Sequence, residues 1–167
     1  MPAKSEAILL LTAIALDDNR KKYPNFPDDK RYFKPYSDKT EKGLIHCITD
    51  FLKFKGHQGE RIDNKGTRID DRQVVENVIG QMKTIGRVRW NYSQQERGTA
   101  DVSATIKRNF AGVIIGCSVK IEIKIGNDTQ KPHQKLYQQK VEAAGGFYWI
   151  VKSFNDFLER YEEFVTN

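Results

Sequence analysis

Three side chains in the second half of the sequence combine into a coherent chemistry: Asp101, Glu122 and Lys124. Glu122 and Lys124 lie two apart in a β-rich stretch, Val113 to Ile125. Both therefore point to one face of a strand, while Ile121, Ile123 and Ile125 point to the other. Asp101 falls on the polar face of the preceding strand, directly after Gly98-Thr99-Ala100. If the two strands pair, Asp101 approaches Glu122, and two carboxylates brought together repel unless a cation lies between them. A hard divalent cation, Mg²⁺ or Mn²⁺, held by Asp101, Glu122 and the backbone carbonyl of Ile123, is the natural solution. Such a cation polarises a phosphate oxygen and lowers the pKa of a water it binds, which is what phosphodiester hydrolysis requires. Lys124 would orient that water or stabilise charge in the transition state. By spacing alone, the same residues read more simply as an exposed Glu122–Lys124 ion pair, worth about 0–1 kcal/mol.

The elements that must position these residues are legible as patterns. Leu44, Cys47, Ile48, Phe51 and Leu52 recur at helical spacing and predict an amphipathic helix over 38–55, with Asp38 and Glu41 as its capping box and Gly56 as its stop. Gln58–Ile62 reads as a short strand, 63–72 as a polar loop, Gln73–Met82 as a short helix and Gly86–Tyr92 as a strand. Thr99–Lys107 alternates as a strand, with Ala100, Val102, Ala104 and Ile106 on one face. Asn109–Gly112 turns the chain into Val113–Ile125. Lys131-Pro132 opens a helix reaching about Ala144, because proline suits the first helical position, and Gly145-Gly146 ends it. Phe147–Val151 is an apolar strand, and Ser153 with Asp156 caps a final amphipathic helix. The order predicts an α/β (α+β) fold with a central mixed sheet flanked by helices.

The chain has 167 residues, with 28 Lys+Arg against 22 Asp+Glu for a net charge of +6, and is 38% apolar and 30% charged. That composition fits a globular core and an anionic partner, and excludes a disulfide framework, since the cysteines are Cys47 and Cys117. A reducing compartment is the expectation. The run Ala7–Leu16 has the length of a signal-peptide core, but Glu6 within its leading segment and a lone Lys4 fit a buried N-terminal helix starting after Ser5 at least as well. No apolar run reaches the ~18–20 residues of a membrane span. Residues 17–37, with a polar start, Pro24, Pro27, Pro35 and rings at Tyr23, Phe26, Tyr32, Phe33 and Tyr36, read as an extended arm that packs on its own domain or on a partner subunit. The expected division is an N-terminal helix and arm, 1–37, followed by one domain, 38–167.

Taken in order, Gly98-Thr99-Ala100-Asp101, Ile121-Glu122-Ile123-Lys124, Gln134 in an opening helix and Gly145-Gly146-Phe147-Tyr148 before an apolar strand resemble the VRR-NUC family (virus-type replication-repair nucleases) of the PD-(D/E)XK nuclease superfamily. The resemblance covers about residues 38–157. It implies a restriction-endonuclease-like core of order αβββαβ with terminal helices, and a Mg²⁺- or Mn²⁺-dependent DNA nuclease. It makes Asp101 and Glu122 metal ligands, Lys124 the catalytic lysine and Glu41 a ligand acting directly or through water. Gln134 would reach the active-site water or phosphate, with helix capping as its alternative role. Two positions depart from the family pattern: Ala100 replaces the usual proline and Lys131 the helix-opening Ser or Thr.

Standalone relatives in that family are small phage or bacterial proteins that act as homodimers on branched DNA such as Holliday junctions. The resemblance therefore implies a structure-specific endonuclease in DNA repair, in a bacterial or phage-infected cytoplasm, with no membrane partner. The alternatives are a non-cleaving nucleic-acid-binding module, or an end-processing exonuclease or restriction-type enzyme. Arg61, Lys65, Arg68, Arg89, Arg97, Lys131 and Lys135 are the expected DNA-backbone contacts, and Arg61 is favoured because the family places an Arg at the end of its first strand. His46, His57 and His133 have no metal-binding spacing. Cys47, Cys117, Trp90, Trp149 and Tyr148 read as core or sheet residues.

Overall fold

The computed structural model describes residues 5–31, 35–63, 66–91 and 96–166. They form two compact units, one from residues 1–62 with 97–167 and one from residues 63–96. The first is a mixed α+β unit. It contains helices α1 (Glu6–Lys22), α2 (Glu41–Phe54), α3 (Pro132–Ala143) and α4 (Phe154–Thr166), and strands β1 (Gln58–Arg61), β6 (Val102–Phe110), β7 (Val113–Ile123) and β8 (Phe147–Val151). The sheet runs β1-β6-β7-β8. Its first three strands are antiparallel, and β8 runs parallel to β7, so α3 is the crossover that a parallel pair requires.

The sheet separates two helical layers. Along β8, neighbouring residues point to opposite faces: Tyr148 meets Tyr137 of α3, while Trp149 meets Phe157 and Phe164 of α4. The side bearing α1, α2 and α4 is the main core. Leu11, Leu44, Ile48, Leu52, Val102, Ile106, Ile121 and Val151 are all fully buried there, each contributing about 1.5–3 kcal/mol. Phe51 sits edge-on to Phe154, Phe157 and Tyr161 at centroid distances of 5.0–5.8 Å.

The apolar N-terminal run is a helix capped by Ser5, and its Ala7, Ile8, Leu11 and Ala15 lie in this core. The helix continues through Asp17–Lys22, which the sequence reading placed in the arm. Lys21–Asp17 and Lys22–Asp18 ion pairs, one turn apart, support those polar turns. The arm beyond is tied back on its own chain. Arg31 bonds Asn19, the carbonyls of Tyr23 and Phe26, and Asp28, and the Tyr36 hydroxyl bonds Asp50 at 2.8 Å. Tyr32 and Phe33 lie outside the described residues. None of the described helices is long and apolar enough to cross a membrane.

Three local expectations are corrected. Thr40, not Asp38, caps α2, with its hydroxyl accepting from Gly43 N–H at 3.2 Å. Asp38 lies upstream of the helix and accepts from Phe154 N–H, the first of α4, at 3.0 Å, beside the Ser153 hydroxyl, which caps α4 as expected by accepting from Asp156 N–H at 3.2 Å. Residues 73–82 are not a helix: β3 (Gln73–Glu76) and β4 (Met82–Ile85) form a hairpin, as β-branched Val74-Val75 and a turn at Asn77–Gly80 favour. The stretch 63–72 contains β2 (Thr67–Asp70), paired with β5 (Val88–Asn91). These four strands make up the regular structure of the second unit.

His57 follows α2 and joins it to β6 and α4. Its Nδ1 accepts from Lys107 N–H at 3.1 Å, so Nε2–H donates to the Tyr161 hydroxyl at 2.8 Å. Burial, with the Lys107 and Lys55 charges, holds the imidazole below its usual pKa of 6.5. The unfolded chain therefore gains a proton at His57 that the folded chain resists, and the stability from this clamp is lost as pH falls below about 6.5. Chemical denaturation at pH 7.5 and 5.5 tests this: the advantage of the wild type over His57→Gln shrinks at the lower pH. An advantage that is constant or grows contradicts the neutral clamp.

Candidate functional site

The site lies where β6 begins and β7 ends. The β6–β7 ladder runs from Phe110↔Val113 to Val102↔Ile121, so Asp101 immediately precedes its last β6 residue and Glu122 immediately follows its last β7 residue. Asp101 N–H donates to Ile121 O at 3.1 Å, and Asp101 Oδ2 accepts from Ile123 N–H at 2.7 Å. In an extended strand the N–H and C=O of one residue point to the same side. The Ile123 carbonyl is therefore also directed toward the Asp101 side.

Glu122 and Lys124 share the face covered by α3, as their spacing predicts. They are not the exposed pair that the spacing also allowed. Glu122 is 1% exposed and Lys124 4%, and Lys124 Nζ lies 2.8 Å from Glu122 Oε1. Their remaining polar groups are satisfied locally. Gln134 Nε2 donates to Glu122 Oε1, Tyr148 OH donates to Glu122 Oε2 at 3.2 Å, and Lys124 Nζ donates to Gln134 Oε1 and Asp128 Oδ2, both at 3.2 Å. Burial alone would lower the Lys124 pKa, but the Glu122 and Asp128 carboxylates overcome it and raise the value above 10.5. Lys124 is accordingly an ammonium, suited to stabilising negative charge or donating a proton and unsuited to acting as a base.

Gln134 caps its helix, the alternative role, and its side chain also reaches Lys124 and Glu122. Its Oε1 accepts from Lys131 N–H at 2.9 Å, which caps α3, and also from Lys124. Lysine has no acceptor, so Lys131 cannot complete a capping box. Gly98 holds the opening of α3 in place. Its φ is +89°, and a Cβ there would lie 2.5 Å from the His133 carbonyl oxygen. The loop before β6 thus touches backbone at the first turn of α3, a contact only glycine permits.

Glu41 lies in the first turn of α2 and is exposed. Its charge reaches Asp101. Burial first, then the Glu122 and Glu41 charges, push the Asp101 carboxyl up to about 6, against the Ile123 N–H and Lys124, which pull it down.

Among the described residues, no three His, Cys, Asp or Glu side chains group closely enough to hold a metal by themselves. The candidate donors at this end of the sheet are the Asp101 and Glu122 carboxylates and the Ile123 carbonyl, all hard oxygens, and the Asp101 anion is disfavoured by burial first and then by its neighbours' negative charge. That donor chemistry is of the kind that suits Mg²⁺ or Mn²⁺, which Asp101, Glu122 and the Ile123 carbonyl could hold.

The expected DNA contacts divide. Arg97, Lys131 and Lys135 are exposed around the start of α3, where Gly98 abuts His133. Arg61 ends β1 opposite Val102 and is exposed. By the pleat it shares the face of Val102 and Ile121, opposite that of Glu122, so the structure does not bring it to the carboxylates. Arg68 and Arg89 belong to the second unit, where they approach Asp70 at 3.6 Å and Asp71 at 3.2 Å. Lys65 lies outside the described residues. Sequence reasoning missed Tyr148, taken as a sheet residue, and Asp128. The available signals were the alternation of Tyr148 with core-facing Trp149 and the four-residue step from Lys124 to Asp128.

No family model, curated protein or solved structure matches this chain.

The Asp101 shift sets a direction for stability. Its carboxyl holds a proton up to about pH 6 in the folded chain, against 3.8 as its ordinary value. The stability it contributes is therefore present at low pH and lost as pH rises through 6. Asp101→Asn keeps an oxygen for Ile123 N–H and removes the charge. It is expected to be more stable than wild type by about 1–2 kcal/mol at pH 7.5 and no more stable at pH 4. Denaturation curves at both pH values check this, and a variant less stable at pH 7.5 would show that the Asp101 charge does not destabilise the folded chain.

Proposed function

We propose that this chain is a divalent-cation-dependent DNA nuclease with a PD-(D/E)XK core of the VRR-NUC type, acting as a structure-specific endonuclease on branched DNA. One observation carries the reading: a buried Glu-x-Lys pair at the end of a strand, overlaid by a helix glutamine, with an aspartate at the mouth of the adjacent strand. Within the first unit the elements from α2 to β8 follow the order α2-β1-β6-β7-α3-β8, which is αβββαβ and supports it.

A bound Mg²⁺ or Mn²⁺ would supply Lewis-acid activation of phosphate and water. Asp101, Glu122 and the Ile123 carbonyl would hold it. The chain's own part follows from the contacts above. Lys124, kept as an ammonium by Glu122 and Asp128, stabilises negative charge gathering on the phosphate or protonates what leaves it. Gln134 links Lys124 and Glu122 and fixes both at the α3 N-terminus. Tyr148 holds the second oxygen of Glu122, so the carboxylate cannot rotate freely. Arg97, Lys131 and Lys135 offer cations to the DNA backbone around that helix start, which makes binding salt-sensitive.

A second reading, a nucleic-acid-binding module that does not cut, is favoured by a specific feature: both Glu122 oxygens already have protein partners, and among the described residues no three His, Cys, Asp or Glu side chains group to hold a metal. A cleavage assay separates the two. Labelled four-way junction, flap and linear duplex are incubated with protein and Mg²⁺ or Mn²⁺, with EDTA as control. The junction is expected to be cut in preference to linear duplex, EDTA to stop cleavage, and Lys124→Ala to reduce it by about 10²-fold or more, as for loss of one charge-stabilising group. Binding without metal-dependent cleavage of any substrate would sink the enzyme reading. Cleavage surviving Lys124→Ala would place the chemistry elsewhere.

A further inference from the structure

We infer that the outer edge of β7 at residues 113–117 pairs antiparallel with the same edge of a second copy of this chain. The proposal concerns the far end of the β6–β7 ribbon and is independent of the reading of the carboxylate site.

The register of the sheet isolates that edge. β1 pairs only with residues 102–105 of β6, and β8 only with residues 119–123 of β7, whereas β6 and β7 stay paired out to Phe110 and Val113. The ribbon therefore projects past both of its neighbours. Its β6 edge is partly closed, because His57 Nδ1 takes Lys107 N–H. The β7 edge is open. Lys124 N–H points to β8 and Ile123 N–H to the β6 side. With no break in register along β7, the even-numbered residues turn their backbone groups toward the β8 side. The N–H and C=O of Ile114 and Gly116 thus point outward where β8 has not yet begun, and among the described residues no strand pairs with them.

The composition of this edge selects its partner. Exposed strand edges are ordinarily protected by lysine, proline or a bulge. Residues 109–119 contain no charged residue and no proline, in a chain that is 30% charged. Phe110, Val113 and Ile114 are 65%, 62% and 70% exposed. A segment without cations does not suit a nucleic acid, and one without any charge does not select a charged peptide. It does complement itself. A two-fold axis at Ile115 sets Ile114 opposite Gly116 of the partner subunit, and the reverse, closing a symmetric set of backbone hydrogen bonds. On one face, Ile114 then lies over Gly116 of the partner subunit, which has no side chain to obstruct it. On the other face, Ile115 meets Ile115 of the partner subunit beside Val113 and Phe110.

Sedimentation or light scattering at tens of micromolar protein is expected to give about twice the chain mass of 19.3 kDa, and Ile114→Lys, at an exposed position, to give monomer. A cross-link locates the axis independently. Opposed residues in a non-hydrogen-bonded pair lie about 4.5 Å apart at Cα, within disulfide reach. In a Cys117→Ser background, Ile115→Cys is expected to form a covalent dimer under mild oxidation, while Gln139→Cys on exposed α3 does not. Should Ile114→Lys fail to fold, the cross-link alone decides. A monomeric wild type overturns the proposal, as does a dimer that Ile115→Cys fails to trap.

Discussion

A carboxylate and an ammonium buried side by side on one strand constrain much of the first unit. Removing both charges from water costs several kcal/mol per ion, and their attraction offsets that only when every remaining lone pair and proton finds a partner. The elements on the α3 side of the sheet meet that condition. The α3 crossover presents Gln134 between Glu122 and Lys124, β8 presents Tyr148 to the second Glu122 oxygen, and the loop after β7 presents Asp128 to the lysine. Apolar residues of similar volume would give a simpler sheet face of equal or greater stability. Keeping the pair is the kind of local cost found at functional sites.

The opposite face has the reverse character. Helices α1, α2 and α4 close over Val102, Ile106, Ile121 and Val151 in a largely apolar layer with an aromatic cluster. That layer supplies the rigidity against which the polar face is aligned. Asp101 sits at the junction of the two, fixed by backbone hydrogen bonds on adjacent strands and raised in pKa by burial and the nearby acids. An acidic centre in that condition, with Arg97, Lys131 and Lys135 exposed around the start of α3, suits a small cation inside and a polyanion outside. The net charge of +6 is consistent with that division but does not reveal it.

Much of this arrangement was legible in the residues. Period-two alternation placed Glu122 and Lys124 on one face and the isoleucines on the other, and Pro132 with Gly145-Gly146 bounded α3 closely. The burial of the pair was not legible, because whether a polar strand face is solvated depends on the helix that crosses it. The same limit hid Tyr148 as a partner of Glu122. Asp38 misled because its spacing to Glu41 matched a local cap, while its actual partner, the Phe154 amide, is distant in sequence. Residues 63–96 were the least readable. Their strands are four residues each, with little burial to impose a period, so Val74-Val75 could be assigned to a helix as readily as to a hairpin.

The central claim is that Asp101 and Glu122 together form a divalent-cation site. Titration of the folded wild type with Mn²⁺, read by electron paramagnetic resonance or calorimetry near pH 7.5, tests it without any assumption about substrate. The account predicts saturable binding that Asp101→Asn and Glu122→Gln each weaken at least tenfold while the chain stays folded. No saturable binding, or binding unchanged in both variants, would contradict it.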